Sequence, residues 1–182
     1  MLKLADNPSL LPPSVESVAD LPGRWWVAHT KARNEKALAW DLLRRDIGYF
    51  LTMSECVTYS GGRKRRVMKP LFTSYVFLCG QENDRYVAMT TNRVFQMINV
   101  VDQANLVAEL AALERALAGD AELALCLLPE VGRRCRVTSG PFKDTEGAVI
   151  EHGKRARLVL SVSILGQGAA LKIDASLLQP ID

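Results

Sequence analysis

The sequence predicts an α+β protein: a largely antiparallel N-terminal sheet with flanking helices, joined to a small C-terminal all-β barrel. Three features carry that prediction. Between residues 24 and 118, aromatic and β-branched runs alternate with segments of helical period. Beyond residue 130 the helical period stops, and Gly132, Gly140, Gly147, Gly153, Gly166 and Gly168 divide short β-rich stretches. Residues 119–129, from the helix-ending Gly119 to Pro129, separate the two patterns and read as a linker. A chain of 182 residues suffices for two small domains, each with its own core.

Residues 1–23 contain Pro8, Pro12, Pro13 and Pro22 with little periodicity, and are expected to form a flexible leader. Arg24–Thr30, with its adjacent Trp25 and Trp26, reads as a strand. Asn34 is placed to cap a helix whose apolar stripe is Leu38, Ala39, Leu42 and Leu43, with Trp40 off that stripe. Residues 49–58 read as a strand, followed by a turn at Ser60-Gly61-Gly62, the basic run Arg63-Lys64-Arg65-Arg66, and a second strand over 71–79. The expectation is a long hairpin with a basic tip. Alternation along the second strand sets Phe72, Val76 and Leu78 on one face, and Leu71, Tyr75, Phe77 and Cys79 on the other. Both faces are apolar. Either helices cover both, or part of the Tyr75 and Phe77 face is left open for a partner. A short helix over 84–90 capped by Asn83, a strand over 94–101, and an amphipathic helix carrying Leu106, Leu110, Leu113 and Leu117 complete the first domain, residues 24–118. The second domain, residues 130–182, reads as strands at 133–138, 146–151, 156–162 and 169–173 that close into a barrel with no exposed edge.

Composition narrows the function. Hydrophobic residues make up 48% of the chain, which excludes a wholly disordered protein. No apolar run approaches the ~18–20 residues of a membrane span. The N-terminus shows neither the basic start nor the compact apolar run of a signal peptide. A soluble, cytoplasmic protein with no membrane partner is expected. Cys56, Cys79, Cys126 and Cys135 include no CxxC pair, and His29 and His152 fall outside zinc-ligand spacing, so no metal or other cofactor is expected. The motifs GxSxG, HExxH, the P-loop and GxGxxG are absent, and His29 with Cys56 or Cys79 lacks an orienting third group. The expectation is a protein that is not an enzyme.

Charge is more informative. The net charge is only +3, but residues 24–101 hold 13 Lys and Arg against six acids, whereas residues 102–120 hold one base against four acids. A locally basic unit suggests a polyanionic partner, nucleic acid first, with plain solvated surface as the alternative. Arg63–Arg66 beside a turn can approach phosphates without burying charge, and Lys31 and Arg33 extend the same basic edge.

The WW-containing first strand, the amphipathic helix, the basic hairpin and the run Lys69-Pro70-Leu71-Phe72-Thr73-Ser74-Tyr75-Val76-Phe77-Leu78 together resemble the N-terminal domain of NusG-type transcription elongation and antitermination factors. Val137-Thr138-Ser139-Gly140-Pro141-Phe142, followed by Gly147-Ala148-Val149, is similar to the KOW motif, and Ser161–Gly166 resembles its closing part. The resemblance spans residues 24–182, with both halves in the family's order. The compact N-terminal domain and the segment Pro70–Phe77 resemble the specialised RfaH and UpxY-type antiterminators more than housekeeping NusG.

This resemblance implies a monomeric elongation or antitermination factor that binds RNA polymerase. The implied contacts to the clamp helices of the largest subunit are Trp26, His29, Phe72, Tyr75 and Phe77, with His29 standing where RfaH-like proteins carry an aromatic. The implied contacts to the non-template DNA strand are Lys31, Arg33, Arg63, Lys64, Arg65 and Arg66. Arg93 joins them from the segment Thr90–Arg93, which in relatives approaches the DNA or the opposite polymerase subunit. Phe142, Ile164 and Leu165 match positions through which the KOW domain recruits Rho or a small-subunit ribosomal protein. Thr145 replaces an aromatic and Gln167 an arginine on that surface. The β character of Arg157–Val162 argues against the helical form that some C-terminal domains of this kind adopt. The competing expectation is a ribosome- or RNA-binding KOW protein, against which the N-terminal unit argues.

Overall fold

The computed structural model describes residues 7–119, 123–127, 132–152 and 155–181. The chain divides into two compact units, Met1–Gln103 and Ala104–Asp182.

The first unit is built from β1 (Arg24–Thr30), α1 (Glu35–Leu43), β2 (Gly48–Phe50), β3 (Met53–Ser60), β4 (Arg63–Pro70), β5 (Tyr75–Gly80), α2 (Glu82–Thr90) and β6 (Val94–Asn99). Its main sheet has the order β2-β5-β1-β6 and is antiparallel throughout. Trp26, Ala28, Val76, Leu78 and Val94 line one face and pack with Leu38, Ala39 and Leu42 of α1 and Ala88 of α2. Each Val or Leu side chain among them contributes about 1.5–3 kcal/mol when taken fully from water, so this layer holds the helices on the sheet. Asn34 occupies the cap position of α1, but its side chain makes no capping bond. Instead its Nδ2 donates to the Ala32 carbonyl, and its Oδ1 accepts from Arg93. Helix α2 starts two residues earlier than Asn83 would have set it. Asp84 Oδ2 accepts from the Gln81 amide at 2.7 Å, so Gln81 is the cap.

Residues 7–23, expected to be flexible, are laid against the first unit. The Leu51 amide donates to the Leu10 carbonyl at 2.8 Å, Ser9 Oγ and Tyr49 Oη lie 3.1 Å apart, and Val18 is buried in a short 3-10 turn. Prolines restrict this segment before folding, which lowers the entropy lost when it docks.

The expected hairpin is drawn differently. The first strand breaks at Leu51 and Thr52, so β2 stays in the main sheet while β3 leaves it to pair with β4 as a separate two-stranded ribbon. The second strand begins only at Tyr75, because Leu71–Ser74 form a turn with Ser74 at φ +66°. Phe72 therefore escapes the strand alternation that would have set it opposite Phe77. The basic run lies along β4 itself, and the tip is Gly61-Gly62 at φ +57° and +73°. Two successive positive φ values make the mirror-image turn whose twist suits a two-residue hairpin, and only glycine enters it without steric cost.

The second unit contains α3 (Gln103–Ala118, from its second residue on) and a six-stranded antiparallel sheet of β7 (Leu123–Leu127), β8 (Arg133–Val137), β9 (Glu146–His152), β10 (Arg155–Val162), β11 (Gln167–Ile173) and β12 (Leu178–Pro180). The strand order is β12-β8-β9-β10-β11-β7. Leu106, Leu110 and Leu113 are the buried stripe of α3, as the spacing predicts. Two expectations change. Strand β7 lies within the supposed linker, and it stands with β12 at the two ends of the strand order. The division of the chain falls before α3, where the sequence suggested one after it. The helix is tied to its own unit by Glu109, which accepts from the Ser163 amide at 3.1 Å, and by Gly119, where an added Cβ would stand 2.6 Å from the Phe142 ring. The expected breaks at Pro129 and Gly153 lie outside the described residues.

Candidate protein-binding and nucleic-acid-binding surfaces

Opposite the helix-covered face, β1 carries Trp25, Val27 and His29, and β5 carries Tyr75, Phe77 and Cys79. One end of this face is sealed. Trp25, Val27, Phe77 and Cys79 are buried, and the Phe77 ring sits 6.4 Å from Phe50 and 6.3 Å from Phe72. The other end is open. His29 pairs with Tyr75 across the strands and their rings stack at 5.0 Å with an interplanar angle of 23°. On the other side, the register against β6 slips between His29 and Thr30. His29 faces Gln96 and Thr30 faces Val94, which leaves Phe95 unpaired between them. Such a bulge redirects a side chain. Phe95 is 69% exposed, with its ring edge-on to His29 at 5.4 Å.

The five expected polymerase contacts therefore separate. His29 and Tyr75 come together on the open end. Phe72 and Phe77 are core residues: both are fully buried, their rings pack on each other, and Phe77 packs on Phe50 as well. Trp26 faces the helices and is buried in their core, with the Arg24 guanidinium 5.8 Å from its ring centre. Phe95 was not singled out from the sequence. The available signal was an aromatic near a strand start with Arg93 and Gln96 close by.

Arg63, Lys64, Arg65 and Arg66 are exposed along β4, and Arg66 Nε lies 3.2 Å from Glu55 Oε1 across the ribbon. Lys36 anchors the ribbon's base, donating to the Met68 carbonyl at 2.6 Å and to Asn7 Oδ1 at 2.5 Å. Burial lowers the Lys36 pKa, partly countered by the neighbouring Glu35 carboxylate.

Lys31, Arg33 and Arg93 meet at another place, where the β1–α1 and α2–β6 loops touch. The Lys31 amide donates to the Arg93 carbonyl at 2.8 Å, and Lys31 Nζ donates to Asn92 Oδ1 at 2.6 Å. Arg33 is exposed at φ +61°. Arg93 is held within the fold: its Nε donates to Asp41, whose side chain is only 12% exposed, and its Nη1 donates to Asn34. Burial pushes the Asp41 carboxyl up, but hydrogen bonds and charge from Arg93 and Arg44 outweigh it and hold it below the ordinary aspartate value. Glu35, also buried, accepts from the Ser74 amide at 2.6 Å and thereby fixes the turn that precedes Tyr75.

In the second unit, Phe142, Ile164 and Leu165 are half-buried, and Thr145 is fully buried between β8 and β9. Among the described residues no trio of His, Cys, Asp or Glu could hold a metal ion, and no helix is long and apolar enough to cross a membrane.

Comparison with known families decides the placement. The family described as transcription termination factor NusG matches residues 23–114, half of the chain, from the first strand into α3. The chain belongs to the NusG family. It is a transcription elongation factor, and RNA polymerase is the partner that the family implies. NusG-family members are transcription factors rather than enzymes. Two solved structures are similar over most of their length. Thermotoga maritima NusG shares 18% identity at a TM-score of 0.43, covering 87% of this chain and 97% of that one. The MjSpt4:Spt5 complex shares 14% identity at a TM-score of 0.25, with the same coverage of 87% and 97%. No curated protein matches significantly.

Proposed function

We propose that this NusG-family chain grips the clamp helices of RNA polymerase through the open aromatic end of its first sheet, and that it suppresses pausing or termination. The observation that carries the reading is the trio His29, Tyr75 and Phe95, ring against ring at the unsealed end of an otherwise buried face. Rings already packed together lose little freedom on docking, and buried aromatic anchors typically cost ~2 kcal/mol or more when truncated. The ribbon, with Arg63–Arg66, reaches the displaced non-template strand, and Lys31 and Arg33 add cations from the neighbouring loop. Arg93 acts by positioning that loop on Asp41. Phosphate contacts of this kind set register without reading sequence. A factor that binds the closed, elongating polymerase better than the paused one shifts the population toward it.

In this reading the second unit is a KOW domain that recruits Rho or a small-subunit ribosomal protein through Phe142, Ile164 and Leu165. Thr145, being buried, adds nothing to that contact. The segment Pro70–Phe77 supports a place among the specialised antiterminators. The test is retention of core polymerase by immobilised full-length chain, followed by pause lifetimes in transcription with purified polymerase. Combined Tyr75→Ala and Phe95→Ala substitution is expected to cut retention at least tenfold and to restore wild-type-free pausing. Undiminished retention would remove the clamp assignment.

A further inference from the structure

The ribbon of β3 and β4 carries a feature that phosphate binding does not need. Its register sets Tyr59 directly opposite Lys64, and Val57 directly opposite Arg66. Residues directly opposite in an antiparallel pair share a face, with Cβ atoms about 4.5–5.5 Å apart. One face of the distal ribbon therefore presents Val57, Tyr59, Lys64 and Arg66, while Thr58, Arg63 and Arg65 fall on the other. Tyr59 is 75% exposed and Val57 48% exposed, although both lie in the middle or distal part of a regular strand. The ribbon forms a two-stranded sheet of its own, and among the described residues no third strand pairs with either of its edges. An aromatic ring placed this openly, with a lysine across from it and an arginine on the diagonal, combines a flat stacking surface with cations at its rim.

We propose that Tyr59 is a stacking platform for an unpaired base of a single-stranded nucleic acid, with Val57 beneath the sugar and Lys64 and Arg66 on the flanking phosphates. The inference rests on the reading that the ribbon approaches nucleic acid, and it adds the class of contact: base face as well as phosphate. The charge favours this occupant. Arg63, Lys64, Arg65, Arg66 and Lys69 stand on the ribbon against the single acid Glu55. The Glu55–Arg66 pair is exposed on both sides, 41% and 71%, and an exposed pair of this kind is readily exchanged for a phosphate. A single strand fits better than a duplex, because only unstacked bases offer a face to a tyrosine. Stacking is indifferent to base identity, so the contact lends grip and register to whatever strand the ribbon meets.

The experiment measures binding of the full-length chain to a fluorescein-labelled oligothymidine strand and to the same strand with abasic sites, by anisotropy over a salt series. Tyr59→Ala is expected to weaken binding to the thymidine strand by about 5- to 160-fold, the range seen when a stacked base loses its aromatic partner. It should leave abasic binding within twofold. Tyr59→Phe should behave as wild type on both strands, since the ring is kept. Arg63→Ala with Arg65→Ala should weaken both strands alike and reduce the salt slope by about 1.4, as two phosphate contacts to a single strand require. Equal losses on both strands for Tyr59→Ala, or no loss on the thymidine strand, would overturn the platform while leaving the phosphate reading intact. An unchanged salt slope in the double arginine variant would instead overturn the phosphate reading, whatever Tyr59 does.

Discussion

Phe77 and Tyr75 stand two residues apart on the same strand and the same face, yet the fold gives them opposite duties, and that can be measured. Phe77 is fully buried against Phe50 and Phe72, so Phe77→Ala opens a cavity in the first unit. Truncating a core phenylalanine costs about 3–5 kcal/mol. With a urea slope of about 2 kcal/mol/M, the unfolding midpoint should fall by about 1.5–2.5 M. Tyr75→Ala removes a half-buried ring whose identified ring partner is His29 at 5.0 Å. Losing one such ring pair costs about 0.5–1.5 kcal/mol, which moves the midpoint by less than about 0.75 M. The assay is tryptophan fluorescence in urea. Trp25, Trp26 and Trp40 are the chain's three tryptophans and all belong to the first unit, so the signal reports that unit alone. Polymerase retention should show the reverse order per unit of stability lost, with Tyr75→Ala nearly as stable as wild type and much the weaker binder. Equal midpoints for the two variants, or a shift below about 0.5 M for Phe77→Ala, would refute the assignment of Phe77 to the core and Tyr75 to the surface.

Two further outcomes follow from buried ionisable groups. Arg93 and Arg44 hold the Asp41 pKa below its unfolded value, so the pairing stabilises the fold above about pH 4 and is lost as pH falls through the lowered pKa. Asp41→Asn should therefore lower the urea midpoint at neutral pH by the equivalent of about 1–3 kcal/mol, and the gap to wild type should close on acidification; a gap constant from pH 7 to pH 3 would contradict this. The Cys79 thiol, pushed up to about 11 by burial and secondarily by Asp84, is about one part in a thousand ionised at pH 8. Thiol labelling at that pH should modify Cys79 at least about 100-fold more slowly than the half-buried Cys56 until urea unfolds the first unit, and comparable rates in native protein would count against the burial.

Much of the fold is legible in the residues. The Trp25–Thr30 strand, the α3 stripe of Leu106, Leu110 and Leu113, and the glycine-divided strands after residue 132 all appear where hydrophobic period and turn chemistry place them. These are signals local to one element. The misreadings share a cause. Residues 49–58 and 71–79 are rich in apolar and β-branched side chains and so read as two long strands, and nothing local marks Leu51–Thr52 or Leu71–Ser74 as places where the chain changes sheets. Glu35 marks the second break, but its bond to the Ser74 amide spans 39 residues. Arg93 looked like a DNA contact because its partner Asp41 lies 52 residues away in sequence and on another element.

The sequence by itself determined the class of the fold, the family, the basic character of the first unit and the set of aromatic residues available to a partner. Only the tertiary structure decided which aromatics those are. Alternation along a strand tells which side chains share a face, but the extent of cover on that face depends on rings delivered from elsewhere. Phe50 and Phe72 seal Phe77, whereas a one-residue slip beside His29 turns Phe95 outward next to Tyr75. Burial is a property of the whole packed unit, and no single stretch of chain encodes it.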